Sequence, residues 1–180
     1  GSHVWDVDGN EYIDLVSGLL PNVLGYNDAD VNYAIFTQLQ KGISFSLSTD
    51  LEMQLAEKLC DIIPCAQKVR FAKNGTDVTT AAIRLARAFT RRDKVVLCGY
   101  HGWQDWSIGT TTRNKGVPKS VSELSVAVPY NDLNRIEELL KSEEFACVIM
   151  EPCNSSVPCD GYLQGIKNLC EQYGSLFIFD

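Results

Sequence analysis

After Pro64, short apolar runs alternate with stretches whose apolar residues recur at helical spacing, and this alternation restricts the chain to very few architectures. The runs fall at residues 69–72, 95–98, 124–128, 146–150 and 176–179. Between the first two lies a helical stretch through Arg91, expected to bury Val78, Ala82, Leu85, Ala86 and Phe89. A second helix over 132–141 turns Leu133, Ile136 and Leu140 inward, and a third over 162–173 is stopped by Gly174. A strand, tight loop, helix and strand in about 30 residues fit a right-handed βαβ unit, whose strands are parallel. The expected fold class is α/β with a mostly parallel sheet.

The segment before this alternation reads differently. Two short runs flank Asp8-Gly9, a dipeptide that accepts the positive φ angles of a tight turn, so residues 4–15 are expected to form a β-hairpin. A helix over 28–41 carries Val31, Ile35 and Leu39 on one face, with Gly42 placed to end it. A second helix over 50–63 carries Leu51, Leu55, Leu59 and Ile62, and Thr49 with Glu52 makes a capping box. Gly1-Ser2-His3 reads as a tag remnant. At the other end the chain stops on the last residue of a central-looking strand, so further residues are expected to follow Asp180.

Composition removes whole classes of function. With 45% hydrophobic residues the chain can bury a core and is not a disordered segment. A net charge of -7 argues against a nucleic-acid or acidic-membrane binder, and no apolar run approaches the roughly 20 residues of a bilayer-spanning helix. The 7 cysteines form no Cys-x-x-Cys pair, and the only histidines are His3 and His101, so no zinc site is expected. An odd number of thiols, with Cys98, Cys147 and Cys170 in apolar runs, fits small buried hydrophobes in a reducing, cytoplasmic compartment.

In open α/β sheets ligands bind beyond the carboxyl ends of the strands. Those ends carry Asn74-Gly75-Thr76, Tyr100-His101-Gly102, Glu151-Pro152 and Asp180, so polar groups from separate strands converge on one crevice. Asn74-Gly75-Thr76 opens a helix, where free N–H groups and the helix dipole favour a phosphate, although taken alone it is an ordinary N-cap turn. Tyr100 offers a ring to stack on a planar ligand or to pack a loop. His101 can titrate near neutrality, but a lone histidine is more often a satisfied structural residue. Asp180 follows a dry strand and needs a cationic partner, such as a protonated ring nitrogen, unless it caps a following helix; Glu151 obeys the same logic. Arg84, Arg87 and Arg91 read as a solvated helix face, and Lys73 as a surface lysine.

These residues lie in segments that resemble the class III aminotransferases, enzymes of fold type I dependent on pyridoxal 5′-phosphate (PLP), and within them the glutamate-1-semialdehyde aminomutase-like branch. The segments are DGNEYIDLVSG (8–18), STDLEMQLAEKL (48–59), NGTDVTTAAIRLARAFTRRDKV (74–95), YHGWQDW (100–106), EP (151–152) and YGSLFIFD (173–180). The resemblance implies the large-domain fold of that type, incomplete here, with 4–47 an N-terminal hairpin and helix segment and 48–180 part of the cofactor domain. It implies that Asn74, Gly75 and Thr76 hold the PLP phosphate, that Tyr100 stacks on the pyridine ring beside His101, and that Asp180 pairs with the ring nitrogen. Glu151 would organise the site in a catalytic role. The family's Schiff-base lysine lies downstream of the segment matching SLFIFD, so these residues alone are expected to be inactive. A small-molecule amino donor, a carbonyl acceptor and a homodimer are implied as partners. Competing expectations are a module that binds a phosphorylated ligand without catalysis, and an assembly segment that supplies only a dimer surface.

Overall fold

The computed structural model describes residues 1–180, which divide into two compact units, Gly1–Val69 and Arg70–Asp180. The boundary between the units falls after Val69, beyond the helix that begins at Asp50.

In the first unit β1 (His3–Trp5) and β2 (Glu11–Ile13) pair antiparallel, with Val4 opposite Tyr12. His3 therefore belongs to the ladder. Asp6 organises the turn by accepting from the Asn10 backbone N–H and Asn10 Nδ2, each at 2.9 Å, and from the Tyr12 hydroxyl at 3.0 Å. Those bonds, the Asn10 side chain foremost, favour the ionised form and hold the Asp6 carboxyl below its usual range. Helix α1 (Ala29–Leu39) starts where the Asp28 carboxylate accepts from the N–H groups of Asp30 and Val31. Helix α2 (Asp50–Ile62) has the Thr49–Glu52 capping box in place.

The apolar stripes of α1 and α2 are not buried within this unit. Val31, Ile35 and Leu39 of α1, and Leu51, Leu55 and Ile62 of α2, are 43 to 55% exposed. Helical periodicity identifies the apolar face but carries no information about what covers it.

The second unit is built on a four-stranded parallel sheet in the order β4-β3-β5-β6, from β3 (Lys94–Cys98), β4 (Ser125–Ala127), β5 (Phe145–Met150) and β6 (Leu176–Phe179). Strand β5 is buried along its whole length, which explains its uninterrupted apolar sequence. Alternate residues of the inner strands feed two cores. Val96, Cys98, Val148 and Met150 meet Ile136 and Leu140 of α6 (Leu133–Ser142), and Ile166 and Cys170 of α7 (Tyr162–Tyr173). Val95, Leu97, Cys147 and Ile149 meet Ile83 and Ala86 of α3 (Gly75–Thr90), and Trp106 of the short helix α4 (Asp105–Ile108). The register shifts between Lys94 and Val95, where Ala146 is the extra residue on β5, so the successive residues Ala146 and Cys147 face the same core while Phe145 faces the other.

Arg92 closes the amino-terminal edge of the sheet. Its Nη1 donates to the carbonyls of Tyr173 at 2.7 Å, Gly174 at 2.9 Å and Phe145 at 3.2 Å, satisfying the end of α7 and the bulged strand together.

Several expectations are corrected here. Residues 69–72 form no strand, because no ladder partner meets them in this sheet. Helix α3 buries Thr79, Ile83 and Ala86, while Val78, Leu85 and Phe89 lie on an adjacent face at 40, 70 and 75% exposure. Among the four strands of this sheet, β6 pairs with β5 alone. The short helices α4 and α5 (Lys119–Ser122) lie in a stretch with no periodicity long enough to announce them.

Candidate active site

Beyond the carboxyl end of β3, Gly99 and Gly102 take φ angles of +105° and +107°, so the chain between them reverses twice. The reversals send neighbouring side chains in opposite directions: His101 is 2% exposed and Tyr100 is 63% exposed. His101 points at Asp180, which follows β6, and its Nδ1 lies 2.7 Å from Asp180 Oδ2. Its Nε2 lies 3.1 Å from the Cys98 carbonyl oxygen. Both ring nitrogens face acceptors, an arrangement that only the doubly protonated ring satisfies with two donated hydrogen bonds. Asp180 thus meets His101 through Oδ2, and its other carboxylate oxygen, Oδ1, makes no hydrogen bond within the chain.

His101 is fixed from every side. The Trp106 ring stacks on it with centroids 6.2 Å apart and planes 12° from parallel. Trp106 Nε1 donates to Thr80 Oγ1 at 3.0 Å, and Thr79 Oγ1 donates to the His101 carbonyl at 2.9 Å. The first turns of α3 are therefore latched to the loop after β3. A Cβ built on Gly102 would lie against Thr76 Oγ1 and 3.2 Å from Thr76 Cα, so only glycine permits this approach.

At the start of α3, Asn74 N–H and Nδ2 both lie 3.3 Å from Asp77 Oδ2, which turns the Asn74 side chain toward Asp77. The intrahelical bonds begin with Asp77 N–H to the Asn74 carbonyl, so the N–H groups of Gly75 and Thr76 precede them. Thr76 Oγ1 is buried without a hydrogen-bond partner. Glu151, half-buried after β5, has Oε2 3.4 Å from the position a Gly99 Cβ would take.

The structure thus brings together Thr76, Gly102, His101 and Asp180 by direct contact, and sets Glu151 beside Gly99. Tyr100 projects outward at the same end of the sheet. Asn74, Gly75 and Thr76 are positioned by α3 itself, not by a preceding strand. Sequence reasoning missed Thr79, Thr80 and Trp106 as supports; the signal was the pair of threonines interrupting the apolar face of α3.

The buried thiols behind this site are inert by environment. Burial raises the Cys98 thiol above its ordinary value and pushes Cys147 and Cys170 up to about 12. The unfolded chain ionises such thiols near about 8.5. The folded state then binds more protons as pH rises above that value, and stability that is complete below it falls up to about 12. Denaturant midpoints should drop progressively from about pH 8.5 upward, and the decline should be shallower in a Cys147→Ala/Cys170→Ala double variant. Iodoacetamide at neutral pH should label Cys60, Cys65, Cys153 and Cys159, which are exposed, and spare Cys98, Cys147 and Cys170. Labelling of Cys147 in the native chain would contradict this.

Comparison with known proteins places these features in a family. The family model "Aminotransferase class-III" matches residues 1–180. A glutamate-1-semialdehyde 2,1-aminomutase of Methanothrix thermoacetophila is 37% identical over 195 residues, covering 100% of this chain and 46% of that protein. An omega-transaminase from Sphaerobacter thermophilus superposes with a TM-score of 0.92 at 30% identity, covering 100% of this chain and 46% of that one. A transaminase solved with PLP bound gives the same TM-score of 0.92 at 28% identity and the same coverage, 100% and 46%. The chain spans about half the length of the curated relatives it matches. With the parallel sheet and the residues at its carboxyl ends described above, the chain belongs to the class III aminotransferase family.

Proposed function

We propose that the whole protein is a PLP-dependent aminotransferase and that this chain supplies much of its cofactor cradle. The observation that carries the reading is the convergence of the α3 start, the loop after β3 and the end of β6 on one place. There Thr76 Oγ1 is buried without a partner, and Asp180 is held at 2.7 Å by His101 with one carboxylate oxygen uncommitted.

These residues fit the cofactor. The N–H groups of Gly75 and Thr76 and the unpartnered hydroxyl offer donors to a phosphate at a helix start. The exposed Tyr100 ring offers a face to a flat heteroaromatic ring. Asp180 offers an anion to that ring's nitrogen and keeps a proton on it, while His101 sets the carboxylate's orientation from behind. When bound, PLP supplies an electron sink for the carbanion formed as a substrate loses its α-proton. Glu151, beside the turn at Gly99, organises the site near cofactor and substrate.

The substrates on this reading are a small-molecule amino donor and a carbonyl acceptor. The aminomutase at 37% identity supports a second reading, in which the amino group moves within one carbon chain. The 4–47 segment is read as an N-terminal element and 48–180 as part of the cofactor domain. A homodimer accords with the exposed apolar faces of α1, α2 and α3, and a cytoplasmic setting with the unpaired cysteines. Incubating the whole protein with PLP, an amino donor and a carbonyl acceptor tests the assignment: new amine on the acceptor is expected, amine moved within a single substrate favours the second reading, and absence of both PLP binding and turnover overturns the assignment.

A further inference from the structure

Two adjacent residues hold the loop that follows β5 at both of its ends. Tyr130 comes shortly after β4 and Pro152 shortly after β5, with β3 between them in the sheet. The Tyr130 hydroxyl donates to the Pro152 carbonyl at 2.8 Å, so one side chain bridges two strand spacings, roughly 10 Å of sheet. Its ring packs on the buried Tyr162, with centroids 5.4 Å apart and planes tilted by 58°. Asn131 takes the far end. Its Nδ2 donates to the Val157 carbonyl at 3.0 Å, and its Oδ1 accepts from the Cys159 N–H at 2.9 Å. The side-chain amide thereby satisfies backbone groups of this loop as a neighbouring strand would.

The holder is itself fixed. Asn131 has φ of +67°, a left-handed conformation that asparagine tolerates better than most residues. The next residue, Asp132, caps α6 by accepting from the Arg135 N–H at 2.9 Å, and α6 is anchored by the buried Ile136. The clamp is therefore mounted on the core and not on another loop. Glu151 directly precedes the clamped Pro152. It is half-buried, and its carboxylate forms no ion pair within the chain. A carboxylate without a partner of its own takes its place from the backbone that carries it, and the Pro152 carbonyl is the adjoining fixed point.

We infer that Tyr130 and Asn131 are positioning residues for Glu151: together they fix the loop from Pro152 to Cys159, and with it the place of the Glu151 carboxylate at the carboxyl end of the sheet. The inference rests on the proposed function, which gives Glu151 its role, and adds to it two residues outside the cofactor cradle. A group displaced by about an ångström loses rate far more than it loses binding, which gives the clamp a kinetic signature.

Tyr130→Phe removes one hydroxyl and keeps the ring on Tyr162, whereas Asn131→Gly accepts the φ angle and removes both side-chain bonds. In the whole protein each should lower kcat about tenfold, with little change in PLP affinity or in the denaturation midpoint. A double-mutant cycle with Glu151→Gln makes the decisive comparison. In that background Tyr130→Phe should lower kcat less than about twofold, because a residue acting through Glu151 has nothing left to act on. Effects that multiply in full overturn the inference, as does wild-type kcat in both clamp variants. Loss of PLP binding in Tyr130→Phe overturns it as well, since the clamp would then shape the cofactor cradle. Hydrogen exchange reads the clamp without turnover: the Cys159 amide should exchange at least tenfold faster in Asn131→Gly, and unchanged exchange contradicts the clamp. A wild-type protein that neither binds PLP nor turns over, while its Cys159 amide still depends on Asn131, sinks the proposed function and leaves the clamp standing.

Discussion

Replacing Asp180 by asparagine should lower turnover of the whole protein on the order of 10²–10³-fold, with little change in folding stability. The amide retains an oxygen that accepts from His101 Nδ1, so the 2.7 Å contact and the packing behind it survive. What is lost is the negative charge, and with it the group assigned to keep the cofactor ring nitrogen protonated. Electrostatic stabilisation that acts on charge developing during reaction is removed, so kcat should fall far more than PLP affinity. Asp180→Ala differs in an informative way. It leaves Nδ1 of the buried His101 without its acceptor and should cost about 1–3 kcal/mol of stability in addition to the loss of turnover. Steady-state kinetics and denaturation midpoints of the two variants separate the charge from the hydrogen bond. An asparagine variant with wild-type kcat would remove Asp180 from the mechanism.

The second large effect is expected at Gly102. An alanine there must accept φ of +107° and fit a methyl group against the Thr76 hydroxyl and 3.2 Å from Thr76 Cα. The hydroxyl can rotate away, but the Cα can move only with α3. Strain and displacement together should cost about 2–4 kcal/mol, and moving the start of α3 should weaken PLP binding at least tenfold. Gly161 is the control. It has φ of +77° with open space around its Cβ direction, so Gly161→Ala carries the backbone strain alone, about 1–2 kcal/mol, and leaves PLP affinity unchanged. Absorbance titrations with PLP compare the two. Equal effects at both glycines would mean that the close approach of Gly102 to Thr76 does not matter.

What was legible in the amino-acid sequence follows from which elements carry their own partners. Strands β3 and β5 read clearly because both faces are buried within this chain, leaving continuous apolar runs. Helix α6 read clearly because Ile136 and Leu140 meet the sheet directly. Residues 69–72 carry Val69 and Phe71 on either side of Arg70 and make no ladder, since strand propensity describes a side chain's fit to a pleated surface and not the presence of a neighbour. In α3 two stripes compete. Val78, Leu85 and Phe89 are the more hydrophobic, yet the stripe of Thr79, Ile83 and Ala86 faces the sheet, because Thr79 also reaches the His101 carbonyl.

The candidate site divides along the same line. Gly75, Thr76, Tyr100, Glu151 and Asp180 stand out by their position at helix starts and strand ends. The pairing of His101 with Asp180 did not, for it spans 79 residues of chain and depends on β5 and β6 being neighbours. A histidine between two glycines after a strand gave a location, but neither its burial nor its partner. The same holds for Trp106 and Thr80, whose hydrogen bond exists only once α3 and α4 share a face of the sheet.

The most direct measurement is a crystal structure of the whole protein grown with PLP. The account predicts the phosphate against the N–H groups of Gly75 and Thr76, the ring over Tyr100, and the ring nitrogen about 2.8 Å from the Asp180 oxygen that His101 does not use. A phosphate bound away from α3, or an Asp180 carboxylate committed to His101 through both oxygens with no contact to the ring, would contradict it.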